Sequence, residues 1–153
     1  MNAFNKSTFS QITLIDLGLE ASAQRFFVHR SADLKPVLDV LEKWMRVLGY
    51  LYRDIFAVEL VLYEAVTNAL RHGHHYDPTK PVEVTFLVTP DEILGQVQDQ
   101  GAGFNRATAL GLFAEKVLEQ RRCRGLFLMQ AYTSWLSLPG VGNRVAFCRR
   151  RSQ

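Results

Sequence analysis

The stretch Glu59–Gly73, ELVLYEAVTNALRHG, decides how the rest of the chain is read. With the residues just before it, its apolar spacing predicts a helix from Asp54 to His72. Ile55, Val58, Leu62, Ala65, Val66 and Ala69 form the buried face, and Gly73 stops the helix. Glu64 and Asn68 do not belong to that face. A helix advances about 100° per residue, so residues four apart are offset by only about 40°. Glu64, Asn68 and His72 therefore share one stripe away from the apolar side. Taken alone, that stripe is a solvated face on which Glu64 pairs with Asn68. The residues after Gly73 give it a second meaning.

Beyond Gly73, HHYDPTKP is turn-rich, and VEVTFLVTP and EILGQVQDQ read as two strands joined as a hairpin at PDE. VQDQGAGF then sets Asp99-x-Gly101-x-Gly103-Phe104 directly after a strand. A mixed segment from Arg106 to Arg124 reads as a loop holding a short helix. GLFLMQAY reads as a helix opening at Gly125. SWLSLPG and GNRVAFCRR close the chain as a strand pair joined near Pro139 to Gly142.

Upstream, QRFFVHRS (Gln24–Ser31) reads as a strand. ADLKPVLDVLEKWMRVLG places Leu34, Val37, Leu38, Leu41, Trp44, Met45 and Leu48 at helical spacing. Ser31 or Asp33 suits the cap of that helix, Pro36 its first turn and Gly49 its end. ITLI, between Ser10 and Ser22, is a short β-like run in an N-terminal extension, 1–23. The expected fold class is α+β: a two-layer sandwich over 24–151, with helices on one face of a mixed, mostly antiparallel sheet.

Composition narrows the function. At 153 residues, 48% hydrophobic and 22% charged, the chain suits one globular domain with a true core. It has no apolar run long enough to span a bilayer, and MNAFNKSTFSQITL lacks the parts of a signal peptide, so no membrane and a cytoplasmic location are expected. Two cysteines, Cys123 and Cys148, form no Cys-x-x-Cys pair, which argues against a disulfide scaffold or thiolate zinc site. The net charge of +3 gathers at Arg121, Arg122, Arg124 and at Arg149–Arg151, read as a solvated surface plus a basic tail. No basic stripe interleaved with aromatics is present, so no nucleic-acid partner is expected. His72, His74 and His75 lack a fourth ligand at zinc spacing, and His72 is read as ordering the helix end.

The order Glu-x-x-x-Asn, Asp-x-Gly-x-Gly, Gly-Leu-x-Leu is far more specific than any one of its parts. With it the sequence resembles the Bergerat-fold ATP-binding domains of the gyrase, histidine-kinase and MutL class. EAVTNALRHG, DPTKPVEVTF and DQGAGF most resemble the bacterial anti-sigma factor serine/threonine kinases, over roughly Gln24 to Arg149. With no phospho-accepting histidine helix ahead and no transducer domain after, the stand-alone branch is the one expected. The resemblance implies ATP and Mg²⁺ as cofactors. Asn68 would bind the metal through its amide oxygen, and Glu64 would act as catalytic base toward a serine or threonine hydroxyl. Asp99 would accept a hydrogen bond from the adenine amino group. Gly101 and Gly103 would leave room for base and sugar. Arg71, His72, Phe104, Arg124, Gly125, Leu126, Phe127 and Asn143 would complete the nucleotide-binding set, under a lid from Asn105 to Arg124. Lys116, Arg121, Arg122 or Arg124 would neutralise the γ-phosphate.

Two positions depart from the family pattern. Its second glycine box usually reads Gly-x-Gly-Leu, and here it is CRGL, with Cys123 in the first place. If that site required positive φ, cysteine would cost roughly 1–2 kcal/mol. Asn143 stands where a threonine often helps hold adenine. The implied function is an ATP-dependent kinase and anti-sigma-type regulator that phosphorylates an anti-anti-sigma partner of the STAS fold. A sigma factor or other regulatory target would be its second partner, and a homodimer its assembly. The rival is a partner-sequestering module that binds nucleotide, or none, and transfers no phosphate. A free ATP hydrolase is a third reading.

Overall fold

The computed structural model describes residues 23–101, 121–138 and 143–153, and side chains from Arg124 onward within the helix that begins at Arg121. The elements are β1 (Gln24–Val28), a 3₁₀ turn (Ser31–Asp33), α1 (Leu34–Val47), α2 (Tyr52–Asn68), a π turn (Ala69–Gly73), β2 (Val82–Val88), β3 (Glu92–Gln98), α3 (Arg121–Ala131), β4 (Trp135–Ser137) and β5 (Arg144–Arg150). The ITLI run, Gly103, Phe104, Lys116, most of the expected lid, the Pro139–Gly142 turn and the side chains of Arg121, Arg122 and Cys123 lie outside the described residues.

The strands form one sheet in the order β1-β2-β3-β5-β4, and every pairing among them is antiparallel. Alternation decides the faces. Phe26, Val28, Val84, Phe86, Ile93, Val97 and Phe147 turn toward the helices and join Leu41, Met45, Ile55, Leu62, Leu70 and Met129 in the main core. Each such side chain, once fully buried, contributes about 1.5–3 kcal/mol relative to exposure. On the opposite face, register lines up Leu87, Leu94, Cys148 and Trp135, which form a second, smaller cluster with Ala23. The β2–β3 hairpin closes where expected: Thr89 N donates to Glu92 O (3.0 Å), and Thr89 Oγ1 accepts from Glu92 N (3.1 Å).

The helix ends follow their sequence signals with two differences. Asp33 stands at the N-cap of α1, but as the last residue of the 3₁₀ turn its carboxylate makes no cap bond to α1 and reaches back to accept from the backbone N–H groups of His29 (3.0 Å) and Arg30 (2.9 Å). α1 ends in a Schellman motif: Gly49, at φ 77°, donates to Arg46 O (2.9 Å) while Tyr50 N donates to Met45 O (3.0 Å). The second difference is that α2 does not run uniformly to His72; its last turn widens into the π turn, where His74 N donates to Ala69 O (3.0 Å).

The arginines expected to form a solvated basic tail are in large part structural. Arg149 donates from Nε (3.1 Å) and Nη2 (2.8 Å) to Asp54 Oδ1 in the first turn of α2, where the Asp54 side chain has 0% exposure. Ser152 adds its N–H to Oδ2 (3.0 Å) and its hydroxyl to Oδ1 (2.7 Å). Arg151 caps the far end of α1 by donating to Leu48 O (2.9 Å) and Gly49 O (2.6 Å), with its guanidinium 5.2 Å from the Tyr50 ring centre.

Candidate active site

The last two turns of α2 bring Glu64 and Asn68 to the lining of a cavity of about 400 Å³. Tyr63, Thr67 and Arg71 line it from the same side, and Arg124, Gly125 and Leu128 line it from α3. Both polar side chains are half-buried, because their stripe lies at the edge of the α2–α3 contact. Gly125 makes that contact possible. A Cβ there would stand 3.0 Å from Glu64 Oε2 and 3.0 Å from Asn68 Nδ2, tighter than ordinary van der Waals contact. Gly125 thus lets the α3 backbone lie over the ends of both side chains. It lies inside α3 rather than opening it, so helical geometry directs its N–H along the helix axis. Leu126, next to it, is 3% exposed and belongs to the core, and Phe127 is half-exposed and outside the cavity lining.

A second group lies one turn further on, at the end of β3. Asp99 is held on several sides. Its N–H donates to Asn143 O (2.9 Å), its carbonyl accepts from Asn143 Nδ2 (3.2 Å), and its Oδ1 accepts from Gly101 N (2.7 Å). Gly73 lies directly against the carboxylate: a Cβ there would be 2.5 Å from Asp99 Cγ. A Cβ on Gly101 would be 2.6 Å from Gly73 O. The two glycines and Asp99 therefore form one close-packed knot in which any side chain at either glycine would collide. Asp99 and Gly101 do not line the α2–α3 cavity, and neither does His72, which is exposed.

Two residues of this knot carry more than their sequence signals imply. Gly73 has the signature of a helix stop, whereas the crowding it relieves is with Asp99. His74 falls in a histidine run that lacks a fourth ligand at zinc spacing and has no role of its own assigned by sequence; it is 3% exposed and its Nε2 accepts from Gln100 N at 2.7 Å. The backbone on either side of it is unusual. After the π turn, His75 (φ 49°) and Tyr76 (φ 60°) both adopt left-handed conformations, each costing such residues roughly 1–2 kcal/mol. Local bonds hold them: Tyr76 N donates to Leu70 O (2.7 Å), and Arg71 Nε donates to the Tyr76 hydroxyl (3.0 Å). The sequence marks HHYDPTKP as turn-rich but does not mark the left-handed conformations of His75 and Tyr76.

The donor set suits a hard divalent ion. An amide oxygen at Asn68 is the ligand type such an ion prefers, and Asn68 lines the cavity. Among the described residues no cluster of three or more His, Cys, Asp or Glu side chains could hold a metal, so an ion here would lean on Asn68, water and substrate oxygens.

The fold is of the α+β class, an antiparallel sheet backed by helices, with Glu64 and Asn68 lining a cavity and Asp99 at the end of β3. The family described as histidine kinase-like ATPase domain matches residues 27–149, and the chain belongs to it. Over 89 residues it is 35% identical to the Serine-protein kinase RsbW of Bacillus licheniformis, covering 54% of this chain and 56% of that one. Over 50 residues it is 34% identical to the Anti-sigma F factor of Oceanobacillus iheyensis, covering 33% of this chain and 34% of that protein. The chain thus spans about half the length of the first relative and a third of the second. Among the described residues no helix is long and apolar enough to cross a membrane.

Proposed function

We propose that the protein is an ATP-dependent serine/threonine kinase that regulates transcription by partner switching. It would bind a sigma factor or similar target and phosphorylate an anti-anti-sigma protein of the STAS fold, acting as a homodimer in the cytoplasm. The observation that carries the chemistry is the convergence of Glu64 and Asn68 beneath Gly125, in a cavity also lined by Arg71 and Arg124. The names of the two relatives support the biological setting.

In this reading Asp99 accepts the adenine amino hydrogen, with Asn143 fixing the Asp99 backbone from both sides. Arg71 and Arg124 place positive charge where phosphate oxygens would lie. Mg²⁺ at Asn68 would neutralise phosphate charge. Glu64 takes the proton of the partner's hydroxyl as that oxygen bonds to the γ-phosphorus and the bond to the departing ADP oxygen breaks. The phosphate adds about two negative charges to the partner and loosens its hold.

Incubation with γ-labelled ATP and cognate STAS proteins tests the proposal. Label should pass to the partner, and Glu64→Ala should cut the rate by about 10²–10⁴-fold. Label transfer that survives that substitution removes Glu64 as the base. The rival, a binding module without transfer, draws support from the close cover of Glu64 and Asn68 by α3. Absence of labelling with every cognate partner favours it.

A further inference from the structure

We infer that His74 is the positioning residue of the adenine-recognition turn, holding Asp99 and Gly101 in place through the backbone of Gln100. The inference rests on the reading of Asp99 as the base-recognition carboxylate. The chemistry of the contact is one-directional. Gln100 N can only donate, so His74 Nε2 must present its lone pair, and the ring is neutral with its hydrogen on Nδ1. That Nδ1 is buried and has no hydrogen-bond partner among the described residues, so none of them orients the ring from its other side. A polar ring 3% exposed, with one nitrogen unsatisfied, is a poor choice for packing alone. Its contact with Gln100 bridges 26 positions of sequence, from the residue after the π turn to the residue between Asp99 and Gly101.

The geometry of the knot turns this contact into control of the carboxylate. Gly101 N donates to Asp99 Oδ1, and Gly101 packs on Gly73, so the turn has no freedom to shift without moving the carboxylate. Asn143 ties the Asp99 end of the turn, and His74 ties its middle. His74 stands between the π turn and the left-handed pair His75 and Tyr76.

His74→Leu removes the acceptor at similar bulk, whereas His74→Gln returns a carbonyl oxygen near the position of Nε2. In the full-length protein, His74→Leu should weaken ATP binding by about three- to tenfold, the range of one hydrogen bond. It should shrink the preference for ATP over GTP in the same measure, raise KM for ATP and leave kcat nearly unchanged. His74→Gln should restore all three. Amide exchange offers a readout without nucleotide: protection of Gln100 and Gly101 should fall in His74→Leu and return in His74→Gln. Wild-type discrimination and exchange rates retained in a folded His74→Leu protein would overturn the inference. Asp99→Asn separates the two claims. If it abolishes ATP preference while His74→Leu does not alter it, the base reading stands and the role of His74 fails. If the wild type shows no preference for ATP, both fail.

Discussion

The two ends of α2 are built on opposite plans. At its start, Asp54 is fully buried and its carboxylate is met by Arg149 and Ser152, which also pin the end of the chain. At its finish, the helix widens into a π turn, two residues take left-handed conformations, and a buried imidazole keeps one nitrogen without a partner among the described residues. Residues of the first end are satisfied; those of the second are strained or crowded. Strain of this kind persists where surroundings over-determine it, and it gathers at binding sites. One helix thus carries its anchor at one end and the candidate site at the other, with Asp54 and Glu64 ten positions, about 15 Å of axial rise, apart.

The largest effect should come from breaking the anchor. Asp54→Ala leaves the Arg149 guanidinium, 21% exposed, without its counter-charge, and removal of one member of a buried pair costs about 3–5 kcal/mol. Denaturant melts should record that loss, while ATP affinity of the folded fraction stays near wild type. The pH dependence has a definite sign. Burial by itself raises the Asp54 pKa, but hydrogen bonds from Ser152 and Arg149 outweigh it and hold the carboxyl below its usual value. The group therefore contributes in full above the unfolded value of roughly 3.9, and its contribution is lost as pH falls through the lower folded value. Asp54→Asn should flatten that acid limb. An Asp54→Ala protein that melts like wild type would mean the two ends of α2 do not differ in the way described.

Breaking the other end should reverse the pattern. Gly73→Ala sets a methyl 2.5 Å from Asp99 Cγ and within 2.8 Å of both carboxylate oxygens, so the carboxylate must leave its place. Alanine favours a helical backbone by roughly 0.5–1 kcal/mol over glycine, which offsets part of the clash in the melt. The expected result is a small change in Tm beside about a tenfold or greater loss of ATP affinity, equivalent to about 1.4 kcal/mol. Unaltered ATP binding by calorimetry would show that Asp99 need not sit where Gly73 allows it.

The same contrast explains which parts of the molecule are legible from the sequence. The satisfied parts are legible because they obey periodic rules: the α+β architecture, the β2–β3 hairpin and the face of α2 all come from apolar spacing. So is the placement of Glu64 and Asn68 on one stripe, which helical geometry alone supplies. The role of Gly73 is not, because a glycine after a helix has an ordinary explanation, and its clash partner lies 26 residues away at the end of β3. Nor is that of Arg149: three consecutive arginines at a chain end look solvated until Asp54 is seen across the fold. Long-range polar pairs leave no local period, so composition assigns them to the surface.

The smallest effect should arise where the two plans meet, at Gly125. A methyl there would stand 3.0 Å from the far ends of two flexible side chains, not from backbone, so a shift of a few tenths of an ångström relieves it. Inside α3, alanine is worth up to about 1 kcal/mol over glycine, so Gly125→Ala should raise Tm slightly. The displaced atoms are Glu64 Oε2 and Asn68 Nδ2, however, and in the proposed reading proton transfer depends on where that carboxylate oxygen lies. On that reading, phosphorylation of a cognate partner should therefore slow a few-fold, with a smaller loss of ATP affinity, because base recognition at Asp99 lies outside the displaced group. A Gly125→Ala protein that is more stable and also fully active would mean that α3 moves off Glu64 before transfer, and that its close cover belongs to a resting arrangement of the site.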